Sequence, residues 1–315
     1  MSEFNLIQQH FTRATKHTDL SVGDDAALIH VTAGMQLAIS SDMLVAGTHF
    51  FQDTAPYDIG WKALAVNISD MAAMGAQVKW ATLTIALPEI NEQWLAEFSC
   101  GFFACADKFE IDLIGGDTTC GPLNISVTIM GEVPAGKALK RSGAQAGDDI
   151  WVSGQLGSAA LGLAHLQDKL TLINELDICL KALHAPTPRS SLGLALRGIA
   201  TSCIDVSDGL LADLGHILEA SNCGAMLDLE KIPCINYFKL DLNNAKLQQL
   251  LLAGGDDYEL CFTAPKSAHE DIDALSKQLN LPITCIGSTR IDTGLQAMYK
   301  NTEIKLLKKG FDHFG

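Results

Sequence analysis

None of the nine cysteines forms a C-x-x-C pair with another. That excludes the common sequence forms of a structural zinc site and of a dithiol redox centre. No histidine flanks any of them, so a thiol nucleophile has no local support. Their number is odd and most lie in apolar segments, such as Ser-Cys-Ile-Asp (202–205) and Leu-Cys-Phe (260–262). They read as reduced, mostly buried thiols of a cytoplasmic protein. Long apolar runs are missing too: no stretch approaches ~18 residues, and MSEFNLIQQHF has no basic start leading into one, so neither a membrane span nor a signal peptide is expected. Basic residues are in the minority, 22 against 37 acids, for a net charge of −15. This argues against nonspecific binding to nucleic acid or to an anionic membrane, and leaves cation binding or plain solubility open. H-E-x-x-H, a Ser/His/Asp order, a histidine-rich cluster, short-period repeats and low-complexity tracts are absent as well.

What is present is 315 residues, 48% of them hydrophobic, enough for one large domain or two ordinary ones with a sizeable core. Leu37 to Val45 reads as a strand. Residues 56–74 read as a helix, with Pro56 in its first turn and Gly75 past its end; Trp61, Leu64, Ala65, Ile68 and Ala72 make its apolar face. A strand from Lys79 to Leu87, a helix from Glu92 to Phe109, a short strand from Ile111 to Ile114 and a strand from Leu123 to Gly131 follow. Residues 134–149, PAGKALKRSGAQAGDD, then lose periodicity and mark a domain boundary, placed at 137/138. Order resumes with a strand at Ile150 to Ser153 and a helix from about Ser158. Beyond these come a strand at Cys203 to Val206, helices at 209–222, 245–253 and 266–279, and strands at 258–263 and 283–287. Helices and strands alternate in both halves, so both are α/β or α+β.

Acids recur at the ends of these elements. VGDDAAL (22–28) places Asp24 beside Asp25 after a glycine, and two like charges ~4 Å apart repel by ~4 kcal/mol at an effective dielectric near 20. Similar clusters are Ser40-Ser41-Asp42, Gly115-Gly116-Asp117 after a strand, Asp205-Val206-Ser207-Asp208-Gly209 and Gly254-Gly255-Asp256-Asp257-Tyr258-Glu259. One such cluster alone is a turn; five at element ends read as hard-oxygen ligands for Mg²⁺, which keeps waters and grips substrate phosphates. Asp70 points away from the apolar stripe of its helix, toward solvent or, if the helix is covered on both sides, toward a cleft. Gly131 to Lys137 fits G-x-x-x-x-G-K, but Ala138 stands where a phosphate-binding loop needs Ser or Thr, and Gly143 breaks the segment that follows. The Gly154-Gln-Leu-Gly157 turn, opening a helix, reads as a phosphate cradle or as a plain tight turn. His49 is the histidine nearest the acid clusters, and Arg141 could clamp a phosphate.

VGDDAA, SSDMLVAGTHF, KALAVNISDMAAMGA, LIGGDTTCGP, IDVSDGL, GGDDYELCF and the terminal KGFDHF, in this order, closely resemble the bacterial thiamine-monophosphate kinases. These belong to the aminoimidazole-ribonucleotide-synthetase-like superfamily. The resemblance implies two α/β domains, residues 1–137 and 138–315, with the N-terminal domains pairing into a homodimer. It implies transfer of phosphate from ATP to thiamine monophosphate, giving thiamine diphosphate. It places Mg²⁺ ligands at Asp25, Ser40, Ser41, Asp42, Asp70, Asp117, Asp205 and Asp208, the serines partly through backbone carbonyls. ATP contacts fall on Gly116, Asp117, Arg141 and Ser207, and thiamine-phosphate contacts on His49, Asp256 and Phe311. Two positions depart from the family pattern. Asp256 stands where Glu is usual, so that Asp257 or Glu259 could substitute, and Phe311 stands where Trp or Tyr is common. The alternatives are another ATP-dependent enzyme of the superfamily, such as the purine-synthesis ligase or the hydrogenase-maturation protein, or a nucleotide- or metal-binding module without turnover.

Overall fold

The computed structural model describes residues 3–305, 308, 310 and 311, with the side chains of residues 3 and 4 left aside. They divide into two compact units, one comprising the chain up to residue 71 with 76–136, the other 72–75 with the chain from 137 onward. In the terminal motif, Lys309, Asp312, His313 and Phe314 lie outside the described residues.

The first unit opens with α1 (Glu3–His10) and a two-stranded sheet of β1 (Thr18–Leu20) and β2 (Leu28–Ile29). Then come β3 (Met35–Val45), α2 (Pro56–Ala73), β4 (Gln77–Leu87), α3 (Glu92–Phe109), β5 (Asp112–Cys120) and β6 (Asn124–Pro134). The last four strands form one sheet in the order β3-β6-β4-β5. Only β4 and β5 are parallel, and α3 is the crossover that a parallel pair requires. One face of this sheet is buried through Leu83, Ile85, Ile125, Val127 and Ile129. On α3, Leu95, Phe98, Phe102 and Cys105 are buried at helical spacing. The other face is open: Leu37, Ile39 and Met43 of β3 are 36%, 59% and 54% exposed.

The second unit runs β7 (Asp149–Ser153), α4 (Ser158–Leu166), α5 (Leu176–His184), α6 (Ser190–Ala195), β8 (Ser202–Asp205), α7 (Leu210–Ser221), β9 (Gly224–Asp228), α8 (Asn236–Lys239), α9 (Ala245–Ala253), β10 (Leu260–Ala264), α10 (His269–Leu279), β11 (Ile283–Arg290), β12 (Gly294–Tyr299) and β13 (Thr302–Glu303). Its seven strands follow the order β13-β12-β9-β11-β7-β10-β8. β7 and β10 are buried along their whole length, as strands covered on both faces must be. One core holds Ile150, Val152, Ile204, Cys261 and the α7 stripe Leu210, Leu214, Ile217 and Leu218. The other stacks Trp151 on Phe262 beside Leu192, Leu196 and Ile272.

One expectation about placement changes, and one pair of alternatives narrows to a single reading. Gly115-Gly116-Asp117 does not follow a strand: it lies inside β5, because Gly115 to Cys120 pair with Thr82 to Leu87. The helix carrying Asp70 is not solvated on that side. From Ile59 to Ala73 only Trp61 and Asp70 escape full burial, so the helix is covered nearly all round.

Candidate active site

In the first unit the acids are arranged by strand alternation. Ser40 and Asp42 share the helix-covered face of β3, and Asn67 and Asp70 share one side of α2 three residues apart. The two pairs meet: Ser40 Oγ donates to Asp70 Oδ2 at 2.5 Å, and the Asp42 N–H donates to Asn67 Oδ1 at 3.0 Å. Asn67 is 1% exposed and donates in turn to the Ala63 carbonyl. This asparagine escaped the sequence reading, although it stands three residues before Asp70 in the same motif. Ser41 points the other way. Its hydroxyl bonds to the Val127 carbonyl and to Thr128 Oγ1, both at 3.1 Å, so only its backbone carbonyl is left for a ligand on the Ser40 side. His49 Nδ1 accepts from the Val45 N–H at 2.9 Å, which leaves Nε2 as the protonated nitrogen of a neutral ring.

Asp25 and Asp117 line a cavity of about 820 Å³ that also takes in Ile7, Phe11, Asp24 and Gly116. The paired acids of the GDD turn are both exposed, and Asp24 Oδ1 accepts the Asp25 N–H at 2.9 Å. Gly116 has φ +147°, and a Cβ there would lie 1.7 Å from the Leu83 carbonyl oxygen, so no other residue fits. Asp117 is level with Thr84, Ser126 and Met43 across the sheet, hence on the open face. Asp42 is level with Val127 on the buried face, three strands away, about 14 Å by strand spacing.

In the second unit the segment 205–209 joins β8 to α7. Asp205 ends β8 and is 6% exposed. The N–H groups of Ser207, Asp208 and Gly209 all donate to one oxygen, Oδ2 of Asp213, at 3.0, 3.0 and 3.1 Å. Asp213 is 3% exposed; burial, then the nearby Asp208 carboxylate, push its pKa up to about 7. It too was missed, its one sequence signal being a carboxylate in the first turn of a recognisable helix. The carbonyls of the same segment hold the substrate-side candidates. Asp256 donates its N–H to the Ser207 carbonyl at 2.8 Å, and Phe311 donates to that of Asp208 at 3.0 Å. Ser207, Asp208, Asp256 and Phe311 are thereby brought together. Arg141 is not placed with them: its side chain is exposed, and its carbonyl accepts from Ser221 Oγ, at the end of α7 remote from Ser207. Twelve residues of helix span about 18 Å.

Asp257 and Glu259 are committed elsewhere, so neither substitutes for Asp256. Both Asp257 oxygens accept the Gly157 N–H at 2.9 Å. That carboxylate fills the Gly154–Gly157 turn and settles it as a self-capped helix start. Glu259 is buried between Ser153 Oγ and the Arg189 guanidinium. Asp256 itself, at φ +68°, accepts from the Tyr258 hydroxyl at 3.0 Å. The phosphate-loop look-alike is also settled: β6 continues through it to Pro134, and a turn follows instead of a helix. Burial raises the thiol pKa of Cys105, Cys203 and Cys261, which keeps them unreactive.

Among the described residues no three His, Cys, Asp or Glu side chains form a group that could hold a metal ion. Mg²⁺ does not need such a cage. It takes one or two carboxylates and completes its shell with water and phosphate oxygens, and the Ser40–Asp70 and Asp42 grouping offers oxygen donors of that kind.

A family model described as AIR synthase related protein, N-terminal domain, matches residues 23–133. The thiamine-monophosphate kinase of Salmonella typhimurium is 45% identical over 99% of this chain and 98% of its own length. The crystal structure of thiamine-monophosphate kinase from Stenotrophomonas maltophilia matches with a TM-score of 0.85 at 46% identity, covering 93% of this chain and 94% of that one. AaThiL, solved in complex with AMPPCP and TMP, matches with a TM-score of 0.78 at 29% identity, covering 93% and 92%.

Proposed function

The chain belongs to the thiamine-monophosphate kinase family, and from that premise we infer that it transfers the γ-phosphoryl group of ATP to thiamine monophosphate, giving ADP and thiamine diphosphate. The observation that carries this reading is the full-length match to kinases of that name, joined to a relative solved with an ATP analogue and TMP. The acceptor oxygen is already anionic near pH 7, so no residue must strip a hydroxyl proton. The site accordingly has no activated nucleophile, and transfer is direct and in line. Its main difficulty is repulsion between two polyanions, which bound Mg²⁺ reduces.

Asp25, Ser40, Asp42, Asp70, Asp117, Asp205 and Asp208 would hold Mg²⁺, with Ser41 offering its carbonyl. Gly116, Asp117, Arg141 and Ser207 would hold ATP, while His49, Asp256 and Phe311 would hold the thiamine phosphate. The exposed apolar face of β3 supports a homodimer in which the first units pair. Asp117 shares that face, so pairing would set it against the sheet of the second copy. Nine unpaired cysteines and an ATP-dependent reaction support a cytoplasmic location; no helix among the described residues is long and apolar enough to cross a membrane.

Purified protein should phosphorylate thiamine monophosphate with Mg·ATP and leave free thiamine nearly untouched. Asp42→Asn should lower turnover roughly 10²–10⁴-fold, the scale of about 3–5 kcal/mol of transition-state stabilisation. Lys137→Ala, in the exposed look-alike turn, should cost less than about tenfold. Equal turnover of thiamine and its monophosphate would sink the assignment. An inactive Lys137→Ala beside a near-normal Asp42→Asn, both folded by circular dichroism, would move the engine to the look-alike loop.

A further inference from the structure

The segment 206–209 is partnered on both sides of its backbone. Its N–H groups at 207, 208 and 209 converge on Asp213, and the Val206 N–H donates to the Glu259 carbonyl. Its carbonyls at 206, 207 and 208 accept from Tyr258, Asp256 and Phe311. One short stretch of main chain therefore carries Ser207 and Asp208 directly and fixes Asp256 and Phe311 through its carbonyls. Three consecutive amides aimed at one point form a concavity for an acceptor oxygen, and here that oxygen is supplied from within the chain by Asp213. Among the described residues, Asp213 is the side chain that bonds to these three amides. Asp213 is buried, sits on the first turns of α7 and is held there by its own N–H bond to the Gly209 carbonyl at 3.0 Å.

We propose that Asp213 is the positioning residue of the reaction, setting the nucleotide end and the thiamine end of the site at once by fixing this shared backbone. The proposal rests on the phosphoryl-transfer reading of Ser207, Asp208, Asp256 and Phe311. Asp213 touches neither substrate. Asparagine at this position keeps the volume but replaces one carboxyl oxygen with an NH₂ group, which faces the N–H donors whenever its oxygen is misaligned. Alanine leaves all three amides without a partner. Either change lets the segment shift, and a displacement of about 1 Å at a reacting group can cost roughly 10² in rate.

The test compares Asp213→Asn and Asp213→Ala with Leu218→Ala, a core change at the other end of the same helix. For the two Asp213 variants KM for Mg·ATP and KM for thiamine monophosphate should both rise and kcat should fall. The combined loss in kcat/KM should be roughly 10²-fold for alanine and smaller for asparagine. Leu218→Ala should lower the melting temperature with both KM values unchanged. Hydrogen exchange on the wild-type protein needs no variant: the amides of 207–209 should be as slow as the core of α7. Kinetic constants within twofold of wild type in both Asp213 variants would overturn the proposal. So would wild-type amides at 207–209 that exchange like exposed loops, and this decides the matter if neither variant folds. If the wild type does not phosphorylate thiamine monophosphate, the activity reading fails by itself. Calorimetric binding of Mg·AMPPCP then still reads the proposal: Asp213→Asn should weaken it, and unchanged binding would overturn it.

Discussion

Glu132 stands inside the seven residues that imitate a phosphate-binding loop, yet its surroundings give it a structural task. It is 4% exposed, accepts the Thr32 N–H at 2.7 Å and pairs with the Lys79 ammonium at 2.7 Å. Burial pushes its pKa up, but the Lys79 and Thr32 bonds outweigh this and hold it below the ordinary 4.5. A carboxyl depressed by folding stabilises the fold above its unfolded pKa and loses that contribution as pH falls through the folded value. Glu132→Gln should therefore cost about 2 kcal/mol near pH 7. The gap should stay constant down to about pH 5.5 and close below about 4.5. Urea titrations of both proteins across that range check this, and a gap that widens in acid would contradict it. At this scale the sequence singled out clusters of acids but not what each one does. Asp256, Asp257 and Glu259 are indistinguishable by type and spacing, and their roles separate only because Gly157 and Arg189 arrive from distant parts of the chain.

Helix α3 is the element most fully legible in the sequence, expected and found at Glu92–Phe109. Its start is fixed by local chemistry: Asn91 Oδ1 accepts the Trp94 N–H at 3.0 Å. Asn91→Ala should cost about 1 kcal/mol in chemical denaturation and leave turnover unchanged, since nothing in the site touches this helix end. A loss below about 0.2 kcal/mol would show that the cap is replaced by water. Strand β5 shows the opposite case. Gly115-Gly116 reads locally as a loop, but the neighbouring β4 supplies partners out to Cys120 and overrides propensity. The short helices α5, α6 and α8 went unread for a related reason. Four to nine residues carry too few turns for a periodic stripe, and packing alone sustains them.

For the molecule as a whole, periodicity lapses after residue 134 because the irregular stretch up to β7 lends the cores only scattered apolar side chains, Leu139 and Ala144, and no continuous face. The units part at 136/137. The small contribution of residues 72–75 to the second unit was not legible, since the stripe of α2 runs on through Ala72 without a break. The open sheet face carries the dimer reading, and one charge tests it. Ile39→Asp places a carboxylate on a side chain that is 59% exposed, so the isolated fold should tolerate it. Light scattering should show wild type at twice the chain mass of 33.7 kDa and the variant shifted to the monomer. A variant that stays at the wild-type mass would remove this face as the interface.

The turn at Gly154–Gly157 also bears on how the protein responds to dissolved salts. Its helix start is already occupied by an internal acceptor, the Asp257 carboxyl on the Gly157 amide, whose pKa burial pushes well above the usual carboxylate range. Free sulfate has nothing to add at that spot in the wild-type chain. Asp257→Ala removes the tethered carboxyl and leaves an open, electropositive helix end. Sulfate should then act as an external replacement, raising the variant's melting temperature with saturation as RT ln(1 + [L]/Kd) predicts. Scans in matched ionic strengths of chloride and sulfate separate this from general salting effects. A variant whose sulfate response merely parallels the wild type would mean that the vacated helix end binds no anion.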